Sequence, residues 1–222
     1  MIDLRLYEQK DKTYFAVAQE WVVDLLDGIP RILDIGCGDG ATGAYLKRVG
    51  KAYEVHGVEL VPSAARRAQV VLDSVIVGDI EKTTLPYPYG SFDCIIATEV
   101  LEHLFDPWQT IRQLTLYLRP GGYIIASVPN VRHIRVLWDL VIRGRWEYSD
   151  FGTLDRTHLR FFTLSSFVGL FTQAGLAVET VLPLMYPRSS RLNRVSVGLL
   201  AEFLTHRYAC KAVKPLPGHS KC

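Results

Sequence analysis

The sequence predicts an α/β protein: an open, seven-stranded, mostly parallel sheet with helices on both faces. Three observations lead there. Short apolar runs recur along the chain and read as strands. A glycine-rich turn follows the first of them and opens a helix. A chain of 222 residues, 49% hydrophobic and 22% charged, suffices for one such domain (1–222) with a sizeable core.

Arg31 to Ile35 is the first strand, within LDIGCGDG. Gly36, Gly38 and Gly40 turn the chain tightly, and Ala41 opens the next helix. A turn without side chains lets backbone N–H groups approach a ligand closely. Asp34 puts a carboxylate two residues before the first glycine, where it can fix the loop and meet a cationic group. Gly36, Gly38 and Ala41 also satisfy the dinucleotide pattern G-x-G-x-x-A. A pyrophosphate would sit unfavourably beside Asp34, however. The expected ligand is polar, nucleoside-like and partly cationic, and S-adenosylmethionine (SAM) fits; NAD is the rival.

The remaining elements follow in order. A helix over Thr13 to Leu26 precedes the first strand, with Phe15, Ala18, Trp21, Val22 and Leu25 on one face. Tyr53 to Leu60 is a second strand ending in Glu59, whose carboxylate can accept both hydroxyls of a ribose. Val75 to Ile80 is a third strand or its edge, with Asp79 placed to accept from an adenine amino group. Phe92 to Ala97 is a fourth, followed by TEVLEHL. Asp106 caps a helix that starts at Pro107 and carries Trp108, Ile111, Leu114 and Leu118 at helical spacing. Arg119 to Gly122, RPGG, ends it, and YIIASVPN is the fifth strand. Thr163 caps a helix to Ala174, with Gly175 as its stop. Leu176 to Leu184 and Tyr208 to Val213 are the last strands, joined by a helical or irregular link over Leu192 to Leu204.

The ordered set LDIGCGDG, GVEL, GDI, FDCIIATEVLEH and LRPGGYIIASVPN resembles the class I SAM-dependent methyltransferases over roughly residues 10 to 180. The resemblance implies a Rossmann-like fold and methyl transfer. It places Asp34, Gly36 and Gly38 at the methionine part of SAM. Glu59 matches the ribose-binding acid, with Leu60 beside the adenine. Asp79 matches the reader of the adenine amino group, with Ile80 next to it. Thr98 and Glu99 fall between SAM and substrate. By this division residues 10–130 form the SAM-binding core, 131–162 an acceptor-site insertion or lid, 163–214 a C-terminal helix and strands, and 215–222 a tail.

Methyl transfer is an in-line displacement, and an oxygen acceptor often also needs its proton removed, by a base or with the help of a metal that acidifies it. The candidates are Glu99, His103 and His158 as catalytic groups. Glu99, Glu102 and His103 form E-x-x-E-H, sharing one face if helical, and His158 could complete a divalent-metal site with them. This arrangement is similar to that of the ubiquinone-biosynthesis O-methyltransferases and of the small-RNA 3′-terminal 2′-O-methyltransferases. The same residues also suit pocket wall and helix cap without a metal.

The second half differs in character. Val131 to Arg145 carries Arg132, Arg135, Arg143 and Arg145 against Asp139, and its apolar residues repeat as in an amphipathic helix. A lid packed on the sheet, an acceptor cap and a surface leaning on a membrane or anionic substrate all fit. The aromatic stretch that follows is expected to be a loop walling the acceptor pocket with Trp138, Trp146, Tyr148, Phe151, Phe161 and Phe162.

Net charge of +2 disfavours a nucleic-acid partner, and ATEV in place of N/D-P-P-Y disfavours DNA-base amino methylation. No apolar run reaches eighteen residues, and MIDLRLYEQKDK lacks a signal-peptide core. Cys37, Cys94, Cys210 and Cys222 suggest no disulfide framework, so a reducing cytoplasmic compartment is expected. The sequence thus points to methyl transfer from SAM to a hydroxyl of a small molecule, glycan or lipid-like acceptor. Metal-dependent 2′-O-methylation of an RNA 3′ end and a non-catalytic SAM-binding subunit are the alternatives.

Overall fold

A seven-stranded sheet runs through the molecule in the order β3-β2-β1-β4-β5-β7-β6. The structure is a computed structural model that describes residues 6, 7, 10 and 12–217. The first five of the N-terminal residues and the tail from 218, including Cys222, lie outside the described residues. The strands are β1 Arg31–Ile35, β2 Glu54–Glu59, β3 Ser74–Val77, β4 Phe92–Thr98, β5 Leu118–Pro129, β6 Ala177–Leu184 and β7 Arg207–Val213. Pairing from β3 to β5 is parallel. β7 enters antiparallel between β5 and β6. The strand order reverses between β1 and β4, and there an open α/β sheet leaves a crevice at its carboxyl ends.

Parallel strands covered on both faces must bury consecutive side chains on opposite sides. The chain does this. Leu33, Ile35, Ile95 and Ile124 join one core cluster. Their neighbours Ile32, Cys94, Ile96 and Ile125 join the other. Helices α3 (Pro107–Tyr117) and α4 (Leu164–Gln173) cover the first face through Ile111, Leu114, Phe167 and Phe171. Helices α1 (Ala41–Arg48) and α2 (Pro62–Ala68) cover the second through Leu46 and Ala68. The caps are as the sequence suggests. The Asp106 side chain accepts from the Gln109 N–H, and Thr163 forms a reciprocal cap with Ser166.

Four expectations change. The helix over Thr13 to Leu26 is broken into a turn at Lys12–Phe15 and a 3₁₀ helix at Glu20–Leu25. The reason is tertiary: the Phe15 carbonyl accepts from Asp39 N–H, and Gln19 N–H donates to Thr42 Oγ1, so these groups serve the glycine loop and α1 instead of a helix. β3 stops at Val77, which leaves Asp79 and Ile80 in the following turn. RPGG is not a break between helix and strand but part of β5. α3 passes directly into β5, so Leu118 is a strand residue. Val131 to Arg145 is not one amphipathic helix. It is an α turn at Ile134–Leu137 running into a π turn at Trp138–Ile142, and only Val136 of these is buried. The link before β7 contains helix α5 (Pro187–Val195) and a turn at Ala201–Leu204. No helix among the described residues is long and apolar enough to cross a membrane.

Candidate active site

The loop after β1 is built by β2. Gly36 and Cys37 N–H groups donate to the Val58 carbonyl at 2.8 and 3.2 Å, and Gly38 N–H donates to Glu59 Oε2 at 2.9 Å. Glu59 Oε1 accepts from Val61 N–H at 2.8 Å. Both carboxylate oxygens therefore hold backbone, and each keeps a further lone pair for a ligand hydroxyl. Glycine is required at two positions of this turn. Gly36 has φ +66°, and a Cβ there would stand 2.5 Å from Val100 Cγ2. Gly38 has φ +59°, and its Cβ would stand 2.6 Å from the Phe15 carbonyl oxygen.

Asp34 is 2% exposed, and its Oδ2 is buried without a hydrogen-bond partner. Burial, reinforced by the nearby Glu59 charge, pushes its pKa up to about 7. Burial also raises Glu59, against the pull of its backbone donors. Two crowded buried carboxyls with an orphaned oxygen ask for a cation. Asp79 is tied into its own turn: Oδ1 accepts from Glu81 N–H at 3.1 Å, and Oδ2 pairs with Lys82 at 2.7 Å.

The E-x-x-E-H stretch does not form a helical face. Glu99 has φ +56°, a left-handed conformation rare for a non-glycine residue. Its carboxylate turns toward Ser127, which donates to Oε1 at 2.8 Å, and Arg207, whose Nε lies 3.0 Å from Oε2. Burial raises the pKa of Glu99, opposed by Arg207 and by Ser127. After this reversal a 3₁₀ turn, Leu101–His103, sends Glu102 and His103 toward His158. Glu102, His103 and His158 are all buried, and each offers a ligand atom within 4.8 Å of the others. Glu99 stands outside this trio, held by Arg207.

Both imidazoles have an assignable proton. His158 Nδ1 lies 3.0 Å from the Thr153 carbonyl and His103 Nδ1 lies 3.1 Å from the Thr157 carbonyl. A carbonyl only accepts, so Nδ1 carries the proton in each ring and Nε2 keeps its lone pair. The Tyr7 hydroxyl sits 3.0 Å from the same His103 nitrogen. Burial, with His158 second, lowers His103 to about 4; burial lowers His158 as well. Glu102 has neither carboxyl oxygen hydrogen-bonded, and His158 Nε2 is 3.9 Å from its Oε1. Burial, then the Glu99 charge, drives its pKa far above the carboxylate range.

One cavity of about 740 Å³ joins these parts. Asp34, Gly36, Gly38, Glu59, Leu60, Asp79 and Ile80 line one half, and Thr98, Glu99, Glu102, His103 and His158 lead into the other. Of the six aromatics expected to wall the acceptor side, only Phe151 lines it. Phe162 is buried in the core, and Trp146 packs edge-on against Phe161 at 5.2 Å. Trp138 is exposed. The rest of this wall comes from other residues of the same segment, His133, Arg135, Val136, Ser149 and Gly152 to Asp155, and from Tyr186, His206 and Arg207 beyond it. Sequence reasoning missed Arg207, which is 108 positions from Glu99, and had no signal for it. It also missed the clasp between Lys10 and Asp155, 2.5 Å apart, that ties the N-terminal segment to the His158 loop. Burial works to raise Asp155, but Lys10 and Thr157 outweigh it and hold the carboxylate low.

A methyltransferase-domain family model matches residues 9–181, most of the chain. The chain belongs to this methyltransferase family. An uncharacterized 37.1 kDa protein of a Streptomyces fradiae transposon is 33% identical over 73% of the chain and 48% of its own length. The 27-O-demethylrifamycin SV methyltransferase of Amycolatopsis mediterranei is 40% identical over 41% of the chain and 36% of its own. These alignments thus span half or less of those two relatives. A ubiquinone biosynthesis O-methyltransferase of Xanthomonas euvesicatoria is 28% identical over 83% of the chain and 76% of its own length. Among solved structures, the fold is shared with SAM-dependent methyltransferases of Mesorhizobium loti (TM-score 0.64, 21% identity, 90% of this chain and 99% of that one) and Archaeoglobus fulgidus (0.66, 17%, 95% and 99%). These matches establish the Rossmann-like methyltransferase fold that the motifs imply.

Proposed function

We propose that this methyltransferase moves a methyl group from SAM to a hydroxyl oxygen of a small or lipid-like acceptor. The observation that carries the reading is the single cavity joining the glycine loop to the Glu102–His103–His158 cluster. The donor half fits SAM on its own terms. The orphaned Asp34 oxygen suits a cationic ammonium, the remaining Glu59 lone pairs suit ribose hydroxyls, and Leu60 and Ile80 supply apolar surface for a base. SAM supplies an electrophilic methyl on sulfur; the S–C bond breaks with its electrons passing to sulfur as the O–C bond forms. The protein aligns the partners and excludes water. His158 Nε2 takes the hydroxyl proton, because Thr153 fixes the tautomer that leaves this atom free. His103, with its pKa near 4, is the poorer base. Glu99, clamped by Ser127 and Arg207, shapes the passage between the halves. The names of the rifamycin and ubiquinone relatives support oxygen as the acceptor atom.

A divalent ion is the second reading, and Glu102 favours it. A buried carboxyl with both oxygens unpartnered, beside two imidazoles with free Nε2 atoms, is a borderline-metal donor set. Glu102, His103 and His158 would hold the ion, which would supply Lewis-acid polarisation of the acceptor oxygen. The test combines titration calorimetry of SAM and NAD with a screen of hydroxylated acceptors using labelled SAM. Binding of NAD but not SAM overturns the main reading. Full activity in chelator, with no metal in elemental analysis, overturns the second.

A further inference from the structure

The two chain segments that rim the acceptor half of the cavity have a composition unlike the rest of the molecule. Residues 131–145 carry four arginines against one aspartate, and residues 186–200 carry three arginines and no acid. Together they hold six net positive charges, although the whole chain has only two, so the remainder is net negative by four. The same segments expose large apolar side chains. Val141 is 71% and Ile142 62% exposed on the first; Val197 is 88% and Leu199 85% exposed on the second. Isolated exposed apolar residues need no explanation, but runs of them flanked by arginines do.

The segments are bound together at their roots. The Asn130 side chain donates to the carbonyls of Glu202 and Thr205 at 2.7 and 2.8 Å. Arg132 pairs with Glu202 and lies over the Phe203 ring, 5.0 Å from its centroid. Arg135 and Val136 of one segment and Tyr186 of the other line the cavity itself. The rim is therefore continuous with the mouth of the site.

We propose that this rim docks on the surface of an anionic lipid bilayer and opens the cavity toward it. The arginines meet lipid headgroups, while Val141, Ile142, Val197 and Leu199 enter the headgroup–acyl boundary. A second copy of the chain fits less well, because a two-fold interface would set six positive charges against six. A nucleic acid would satisfy the arginines but offers no hydrocarbon to the exposed aliphatic side chains. Delivery of a lipid-like acceptor from the bilayer rests on the methyl-transfer reading; the docking itself does not.

The test is co-sedimentation of the full chain with vesicles of phosphatidylcholine alone and of phosphatidylcholine with phosphatidylglycerol, without SAM or acceptor. Binding is expected to the anionic vesicles only, falling as salt rises. Arg191→Glu with Arg194→Glu should weaken it by more than about 25-fold at low salt: about fivefold for each arginine lost, before the repulsion of the two added glutamates. Val141→Asp with Ile142→Asp should weaken it by about tenfold or more through lost apolar burial together with two added negative charges. Circular dichroism and SAM calorimetry check that both variants remain folded. Docking on lipid is overturned by absence of binding at low salt or by binding that neither variant changes. Lipid-free self-association abolished by the aspartates, or RNA binding in place of vesicle binding, overturns it equally.

Discussion

The two halves of the cavity, proposed above for the methyl donor and for the acceptor, are made differently. The donor half hangs on strand ends: Asp34 on β1 and Glu59 on β2, with the turn between β1 and α1 stitched to β2 by backbone hydrogen bonds. The acceptor half is assembled from Glu99 on, by a left-handed residue, a 3₁₀ turn, the loop carrying His158 and the start of β7. The first half is fixed by the sheet through the backbone hydrogen bonds of its turn to β2. The second is determined by side-chain contacts between remote segments, such as Arg207 with Glu99 and Lys10 with Asp155. A site at strand ends has its geometry set by the sheet, and a site on loops has its geometry set by side-chain contacts.

The largest expected effect separates the halves outright. His158→Ala should lower turnover of an oxygen acceptor by about 10²–10⁴-fold and leave SAM affinity unchanged. Since burial lowers the His158 pKa below 6.5, Nε2 is unprotonated at neutral pH, and the acid limb of kcat/KM should lie below pH 6.5. Steady-state kinetics across pH with calorimetry of SAM check this. Wild-type kinetics in the variant would place the base elsewhere.

Next comes the donor half. Glu59→Ala should cost SAM binding about 1.5–3 kcal/mol, the worth of hydrogen bonds to a charged acceptor. It should also loosen the turn, because Gly38 and Val61 N–H groups lose their acceptor. A titration showing unchanged affinity in a folded variant would remove Glu59 from the ribose site.

Asp34→Asn should pull stability and binding apart. The folded-state pKa of Asp34 is raised from 3.8 to about 7, so the folded chain holds more protons than the unfolded chain between those values. This carboxyl therefore lowers stability as pH rises through that window, and the cost is complete above pH 7. His103, lowered to about 4, acts in the opposite direction between 4 and 6.5, so the variant must be compared with the parent at each pH. The asparagine should stabilise the ligand-free protein above pH 7 by a few kcal/mol at most. It should weaken SAM. Thermal melts at pH 5 and 8 with calorimetry measure both. A melting temperature that falls at pH 8 would mean the carboxylate is already compensated.

The smallest effect concerns the aromatic loop. Trp146 packs on Phe161 and does not line the cavity. Trp146→Ala should cost about 0.5–1.5 kcal/mol beyond its lost area, the worth of an edge-to-face pair, and leave the acceptor KM unchanged. Phe151→Ala, at the cavity wall, should raise that KM instead. Reversed results would return Trp146 to the acceptor site.

The amino-acid order alone determined the strands, the glycine turn and the placing of Asp34 and Glu59 at strand ends, because each rests on local rules. Short, nearly unbroken apolar runs read out β1, β2 and β4 as strands buried on both faces, and positive φ demands glycine at 36 and 38. Spacing along the chain likewise singled out Glu102 and His103. Tertiary structure decided the rest. It broke the N-terminal helix by drawing Phe15 and Gln19 backbone groups to the glycine loop. It removed Glu99 from the Glu102–His103–His158 cluster by pairing it with Arg207, and it left residues 134–142 mostly exposed, with only Val136 buried, where the amphipathic pattern left a packed lid and an exposed surface both open. Hydrogen bonds and ion pairs across a hundred positions depend on where the folded sheet brings its edges, and no local periodicity carries that information.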